Sequence, residues 1–176
     1  MLGEKTKKNL EEAFAGESMA RNKYDYFASV ARKARYEQIA NFFIETSLNE
    51  REHAKLWAKQ LGLISDDVLT NLKAAFEGES FENSTMYPRM AAEAREEGHN
   101  DVALLFDRVG EVEKHHEARY RQLYTNVETG EVFKKIGPKR WKCLNCGHIY
   151  EGEEAPLNCP TCSHPQAFFE LLAENY

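Results

Sequence analysis

Several features common in other protein classes are missing from this chain of 176 residues. No cysteine precedes Cys143, and no proline precedes Pro88. No apolar run approaches the length that a membrane-spanning helix needs, and the first residues show no apolar signal segment, so we expect a cytoplasmic protein without a membrane partner. The net charge is −6 and there is no basic block, which argues against binding to nucleic acid.

The first part of the chain has the composition and periodicity of helices. Apolar residues recur at steps of three and four, and this spacing predicts four amphipathic helices over residues 5–34, 36–61, 70–97 and 100–125. Gly62 and Gly98 follow the second and third segments as helix ends, and Thr70 is predicted to cap the start of the third. Pro88 lies inside the third segment, where it predicts a kink or a local bulge.

The helical part contains an internal repeat. The run Phe14–Ser18 recurs as Phe76–Ser80, an offset of 62, and the pair Glu50 and His53 recurs as Glu113 and His116, an offset of 63. The helices therefore look like two copies of one hairpin, and two such hairpins predict a four-helix bundle.

Each predicted helix carries a glutamate in the middle of its apolar face. These glutamates are Glu17, Glu50, Glu79 and Glu113, and the second and fourth helices add His53 and His116 three residues later. Burying four carboxylates together would cost several kcal/mol each, and no Lys or Arg lies beside them on these faces. One glutamate from each of two helices, with Glu-x-x-His from the other two, is the ligand set of di-iron and di-manganese carboxylate bundles.

Other polar residues lie near this predicted site. Glu82 stands three residues after Glu79, where the first copy has Ala20, so it can also reach the metals. Tyr24 and Tyr87 either hydrogen-bond the ligand carboxylates or serve as core aromatics. Three nearby residues are not predicted as ligands: Glu52, Glu117 and His115. The two glutamates lie off the apolar stripe and are expected to be solvated.

The cysteines form a second candidate metal site. Two Cys-x-x-Cys knuckles, Cys143/Cys146 and Cys159/Cys162, can present four thiolates tetrahedrally, and their spacing leaves zinc and iron both open. We predict a helical domain over 1–126, a linker over 127–139 and a small β-rich metal domain over 140–176. The expected aromatic core of that small domain is Trp141, Tyr150, Phe168 and Phe169.

Together these motifs resemble the rubrerythrin family, in which a ferritin-like di-iron bundle precedes a rubredoxin-type domain. The resemblance rests on FAGES at 14–18, NEREHA at 49–54, GESFE at 78–82 with MYP at 86–88, VEKHHE at 112–117, WKCLNCG at 141–147 and CPTC at 159–162. It implies a non-haem di-iron peroxidase that reduces hydrogen peroxide to water in oxidative-stress defence. The alternatives are a ferroxidase or iron-binding ferritin-like protein, and a protein with a structural zinc ion in its tail and a catalytically inactive bundle.

The resemblance also implies roles for individual residues. Glu50 and Glu113 would bridge two irons, Glu17 would bind one iron, and Glu79 with His116 would bind the other. Glu82 and His53 would alternate on the first iron with its oxidation state. The four cysteines would hold a mononuclear iron, which zinc can replace in recombinant protein.

The resemblance further implies partners. No Gly-x-Gly-x-x-Gly loop is present, so electrons are expected from a separate redox protein or NAD(P)H-dependent reductase. We expect a homodimer or larger homo-oligomer, with exchange of helices between chains as a possibility. Two departures from the family pattern stand out: Ser163 follows the last cysteine where glycine is usual, and Ala34-Arg35-Tyr36 replaces a glycine-containing turn. The second departure leaves open whether the first two helices are joined by a tight hairpin turn or by a more continuous connection.

Overall fold

The computed structural model describes residues 2–175, and over them the chain is mostly helical and ends in a small three-stranded sheet. This agrees with the predicted fold class. The chain divides into two compact units, Met1–Asp66 and Asp67–Tyr176, which are described separately. None of the helices within residues 2–175 combines the length and the apolar character needed to cross a bilayer.

The first unit is a helical hairpin. Helix α1 spans Glu4–Lys33 and helix α2 spans Glu37–Gln60, close to the predicted bounds. Ala28 and Ala40 are fully buried, and Phe43 packs against them. Small side chains at these positions let the two helices approach closely, and this close packing stabilises the hairpin.

The turn between α1 and α2 decides the form of the connection that the sequence left open. Arg35 adopts a left-handed conformation with φ 64°, and its N–H donates to the carbonyl of Arg32 at 2.9 Å. The N–H of Tyr36 donates to the carbonyl of Ala31, also at 2.9 Å. These are the bonds of a glycine-type helix end, so the connection is a tight hairpin turn and not a continuous segment.

The second unit begins with three helices. Helix α3 spans Val68–Phe81, a π-helical segment spans Glu82–Met86, helix α4 spans Tyr87–Glu96 and helix α5 spans Asn100–Glu128. The cap of α3 is Asp67, whose carboxylate accepts from the N–H of Thr70 at 2.7 Å, so the expectation that Thr70 itself caps the helix was wrong. Pro88 lies in the first turn of α4, where its missing N–H is tolerated.

Burial supports the predicted internal repeat. Ala28 and its counterpart Ala91 are both 0% exposed, and Ala40 and its counterpart Ala103 are also both 0% exposed. The turn after α4 uses Gly98 with φ 83°, at the position that Arg35 occupies in the first copy. The two hairpins are therefore copies in structure as well as in sequence.

The C-terminal part of the second unit is a small antiparallel sheet. Strands β1 (Lys134–Cys143), β2 (Ile149–Glu154) and β3 (Phe169–Leu171) lie in the order β2-β1-β3. Trp141 and Phe169 are buried in its core, and the indole N–H of Trp141 donates to the carbonyl of Gly152 at 2.9 Å. Tyr150 and Phe168 remain more than a third exposed, so their assignment to that core was wrong.

Replacing Ser163 by glycine is expected to stabilise the cysteine tail. Ser163 has φ 60°, a left-handed conformation that costs a residue with a Cβ about 1 kcal/mol, while the equivalent Gly147 has φ 76° without that cost. We expect the metal-loaded Ser163→Gly protein to lose its tail metal to excess chelator about fivefold more slowly. The matched Gly147→Ser change should accelerate the loss, and equal rates for all three proteins would contradict this prediction.

Candidate metal centres

Helices α1 and α2 bring three predicted ligands together. The Nδ1 atom of His53 lies 2.8 Å from a carboxylate oxygen of Glu50 and 3.7 Å from one of Glu17. The pair Glu50 and His53 is three residues apart on α2, so both side chains project from one face of that helix. The ligand atoms of the three residues lie within 4.8 Å of one another, which suits a single metal ion.

Helices α3 and α5 build a second cluster of the same composition. The Nδ1 atom of His116 lies 2.6 Å from a carboxylate oxygen of Glu113 and 3.6 Å from one of Glu79. These distances match those of the first cluster to within about 0.2 Å, and the three ligand atoms again lie within 4.8 Å of one another. The repeat therefore duplicates a metal-binding geometry.

The carboxyl groups in both clusters crowd one another. A hydrogen bond with Glu50 raises the pKa of Glu17, with burial and the Glu50 charge adding to the effect. Burial raises the pKa of Glu79, with a hydrogen bond and charge from Glu113 adding to the effect. In each cluster the two carboxyls favour sharing a proton, which a divalent cation would displace.

Metal affinity at these clusters is expected to fall as the pH falls, beginning above the ordinary glutamate pKa of 4.5. The raised pKa values mean that protons compete with the metal at higher pH than for isolated carboxylates. Because the pKa values of Glu17 and Glu79 are raised, the folded, metal-free protein binds these protons more tightly than the unfolded chain does. The free energy of unfolding of the metal-free protein should therefore increase as the pH falls through these pKa values.

Titration calorimetry with Co²⁺ in two buffers of different ionisation enthalpy, at pH 7.5 and pH 5.5, checks this expectation. We expect weaker binding and more released protons at pH 5.5. A Glu17→Gln/Glu79→Gln double variant should release fewer protons. A Co²⁺ affinity independent of pH in the unmodified protein would contradict the prediction.

Three further predicted residues lie around the clusters. Glu82 is outside the three-residue set, but its charge adds to the raised pKa of Glu79. Burial raises the pKa of Tyr87, with the charges of Glu82, Glu113 and Glu79 adding to the effect. Tyr24 stacks on Phe43 with ring centroids 6.0 Å apart, and Tyr87 pairs in a similar way with Phe106 at 6.1 Å, so the ring contacts do not distinguish the two tyrosines.

The four cysteines converge as predicted. The sulfur atoms of Cys143 and Cys162 are 3.7 Å apart, and those of Cys146 and Cys159 are 3.6 Å apart. A tetrahedron with metal–sulfur bonds of about 2.3 Å has edges of about 3.8 Å. Two opposite edges match this length, and all four sulfur atoms lie within 4.8 Å of one another, so the tetrathiol cluster fits one tetrahedral metal ion.

Two of the thiols have pKa values shifted strongly in opposite directions. The backbone N–H of His164 is the main cause that lowers the pKa of Cys162 to about 6. The N–H of His148, the largest single influence on Cys146, lowers its pKa, but burial and hydrogen bonds among the thiols together raise it to about 12. A metal that binds both sulfurs must displace at least the proton of Cys146.

Glu117, which was expected to be solvated, is instead held by hydrogen bonds within the second unit. Glu117 accepts a hydrogen bond from the Asn83 side chain at 2.9 Å and one from Arg121 at 2.6 Å, and its side chain is only 19% exposed. The expectation that Glu117 is solvated was therefore wrong. Sequence reasoning also missed Asn83, although the change of the repeat offset from 62 to 63 between Ser80 and Tyr87 is a signal of irregular structure there.

The donor sets fit the chemistry of two kinds of iron site. Carboxylate oxygens with imidazole nitrogens suit iron or manganese, and four thiolates suit a single iron or zinc. The two Glu/Glu/His clusters thus fit a di-iron site, and the tetrathiol cluster fits an iron–cysteine site.

Comparison with known proteins agrees with this chemistry. A family profile described as Rubrerythrin matches residues 8–124, and one described as Rubrerythrin, rubredoxin-like domain matches residues 141–170. The chain belongs to the rubrerythrin family. That family is known for defence against oxidative stress, and membership in it suggests an oxidoreductase.

Relatives match over the whole length of this rubrerythrin-family chain. It is 47% identical to a rubrerythrin of Clostridium perfringens over 100% of this chain and 98% of that protein. It is 42% identical to a rubrerythrin of Nitratidesulfovibrio vulgaris, again over 100% of this chain and 98% of that protein. A solved structure of nigerythrin in a partially reduced state is 31% identical, covers 98% of this chain and 88% of that chain, and aligns with a TM-score of 0.37.

Proposed function

We propose that this protein is a non-haem di-iron peroxidase that reduces hydrogen peroxide to water and receives electrons through the iron of its tetrathiol cluster. The observation that carries the proposal is the presence, in one chain, of two Glu/Glu/His clusters of matching geometry and a tetrahedral set of four thiols. A storage protein needs the first feature only. The second feature supplies a one-electron centre and therefore supports repeated turnover.

The proposed di-iron ligands are the two clusters together with Glu82. We assign Glu50 and Glu113 as bridging ligands, because each is the least exposed carboxylate of its cluster, with side chains 17% and 14% exposed. Glu17, Glu79, His53 and His116 complete the set. Glu82 is assigned as the carboxylate that exchanges with His53.

Charge balance explains why this ligand set suits the reduced state. Two ferrous ions, when bound, supply the two electrons that reduce peroxide to two molecules of water. The carboxylates of Glu17, Glu50, Glu79 and Glu113 carry four negative charges, which neutralise the two divalent ions and leave the histidines neutral. In the metal-free protein the hydrogen bond with Glu50 raises the pKa of Glu17 and burial raises that of Glu79, with repulsion between carboxylates adding to both shifts. Bound cations would offset that repulsion.

The reaction also consumes two protons, and Tyr87 is placed to hold one of them. Its raised pKa keeps the phenol protonated at neutral pH, so its hydroxyl remains a hydrogen-bond donor beside the Glu79 cluster. We propose that this O–H orients the oxygen atom that leaves as water.

The tail supplies electrons singly in this proposal. Cys146 is exposed while Cys143 and Cys159 are buried, so the tetrathiol cluster has one edge that an external donor can approach. We propose a separate redox protein or an NAD(P)H-dependent reductase as that donor, and a homo-oligomer as the working form.

The test uses protein expressed anaerobically with added iron, so that zinc does not fill the tail. We expect iron in all three positions, a visible spectrum that dithionite bleaches, and recovery of the oxidised spectrum with one equivalent of peroxide per di-iron site. Iron uptake into a mineral without peroxide consumption would favour the ferroxidase instead. A colourless protein with zinc at the cysteines, under iron-supplied expression, would exclude electron delivery by the tail.

A further inference from the structure

The two copies of the hairpin differ most at one place, the π-helical segment Glu82–Met86. We call this segment the π-turn. The repeat offset is 62 up to Ser80 and 63 from Tyr87 onward, so one extra residue lies between them. The N–H of Tyr87 donates to the carbonyl of Glu82, five residues back, as expected when one residue is inserted into an α-helix. The first copy continues there as regular helix within α1.

The π-turn is fastened by the side chain of Asn83. Its amide nitrogen donates to the carbonyl of Glu79 at 2.8 Å, and so bonds the helix one turn earlier. The same nitrogen donates to a carboxylate oxygen of Glu117 on α5 at 2.9 Å. A single partly buried side chain thus ties the irregular segment both to α3 and to the neighbouring helix.

Glu117 is itself held in place. Its other carboxylate oxygen accepts from Arg121 at 2.6 Å, and the Arg121 guanidinium lies 4.4 Å from the centre of the Phe76 ring on α3. The ion pair with Arg121 makes this carboxylate a charged, fixed acceptor for Asn83.

The first copy lacks the charged groups of this network at the equivalent positions. Glu117 corresponds to Ala54, which is 7% exposed, and Arg121 corresponds to Ala58, which is 4% exposed. The carboxylate Glu82 likewise corresponds to Ala20. The network is therefore confined to the copy that has the extra residue and the extra carboxylate, and general stability of the hairpin does not require it.

We propose that Asn83 and Glu117 are positioning residues that hold the π-turn and thereby set where the carboxylate of Glu82 lies beside the Glu79, Glu113 and His116 cluster. A π-turn has poorer hydrogen-bond geometry than an α-helix, so without a fastening its side chains would move. This inference rests on the proposed function, because it takes Glu82 to be a metal ligand.

The first experiment uses metal-free protein and amide hydrogen exchange. We expect Asn83→Ala to speed exchange in the π-turn about tenfold, because it removes a hydrogen bond to a charged group. Glu117→Gln, which keeps an acceptor but loses the charge, should have a smaller effect in the same direction. The control is Glu93→Gln. Glu93 forms an exposed ion pair with Arg89 on α4 at 2.8 Å, and the two residues are four apart, as Glu117 and Arg121 are. Unchanged exchange in the π-turn of Asn83→Ala would overturn the proposal.

The second experiment separates positioning from stability by a double-variant cycle. Co²⁺ binding is measured by its visible absorption in the unmodified protein, Asn83→Ala, Glu82→Ala and the combined variant. We expect Asn83→Ala to weaken Co²⁺ binding about tenfold when Glu82 is present and less than about twofold when it is absent. Equal losses in both backgrounds would show that Asn83 does not act through Glu82 and would overturn the proposal.

Failure of the proposed function remains distinguishable from failure of this inference. If the unmodified protein binds Co²⁺ but does not reduce peroxide, the peroxidase assignment falls, while the cycle still decides the role of Asn83. If Glu82→Ala leaves Co²⁺ binding unchanged, the carboxylate is not a ligand and the positioning role falls with it.

Discussion

Replacing Glu113 by glutamine is expected to abolish metal binding at the carboxylate clusters and, at the same time, to stabilise the metal-free protein. Glu113 lies 2.6 Å from His116, hydrogen-bonds Glu79 and has the least exposed carboxylate of its cluster. A neutral amide cannot replace a carboxylate as a bridge between two cations. We expect peroxide turnover to fall more than about 100-fold, with iron retained only by the cysteines.

The stabilising half of this prediction follows from the crowded carboxyls. The Glu113 carboxylate helps to raise the pKa of Glu79, which means that the metal-free fold holds two like charges at a cost. Removing one charge should raise the free energy of unfolding of the metal-free protein by about 1 kcal/mol at neutral pH. Thermal unfolding after chelation, compared with metal analysis of the untreated protein, measures both effects.

The matched control is Glu111→Gln, an exposed glutamate two residues earlier on the same helix. This change should leave metal content, turnover and unfolding temperature close to those of the unmodified protein. If Glu113→Gln instead destabilised the metal-free protein, the carboxyl pair would be a structural contact and not a strained metal site. Retention of two irons in the clusters would remove Glu113 from the ligand set.

Replacing Cys159 by serine is expected to unfold the tail. Cys159 is 2% exposed and belongs to the small core with Trp141 and Phe169, which is too little apolar surface to stabilise a unit of this size without metal. Binding of a structural metal contributes roughly 10–16 kcal/mol to such folds, and the loss of one of four thiolates removes much of that. Limited proteolysis should then cut the chain after α5 while the helical signal in circular dichroism remains.

The same variant tests the electron route. With the tail metal lost, turnover supported by an external reductase should fall at least about 100-fold, whereas a single oxidation of chemically reduced protein by peroxide should keep its rate. Thr161→Ala is the control, since Thr161 lies between Cys159 and Cys162 and contacts His148 without being a ligand. Full turnover in the Cys159→Ser protein would show that electrons reach the di-iron site by another path.

Much of the site could be predicted because its residues follow helical spacing. Glu50 and His53, like Glu113 and His116, are three residues apart, and a separation of three fixes a common face once the segment is helical. The cysteine knuckles were predictable for a similar reason, since two short loops with this spacing leave few ways to arrange four sulfurs other than a tetrahedron.

Features that depend on competition between neighbouring residues were not predictable in this way. Thr70 has the right residue type for a cap, but Asp67 occupies the cap position and uses Thr70 as a donor. Arg35 adopts the conformation that glycine prefers, because the packing of α1 on α2 outweighs a local cost of about 1 kcal/mol. Local propensity is a weak guide wherever tertiary contacts contribute more than that.

The amino-acid sequence by itself predicted the helix bounds to within a few residues, the residues that the structure gathers into the carboxylate and thiol clusters, and the two kinds of metal chemistry. These follow from periodicity and from donor atoms, which are local properties of the chain. Only the tertiary structure decided that the extra residue of the second copy forms a π-turn, and that Glu117 fastens it through Asn83. Glu117 lies 34 residues from Asn83, and a contact over that distance exists only once α3 and α5 pack together.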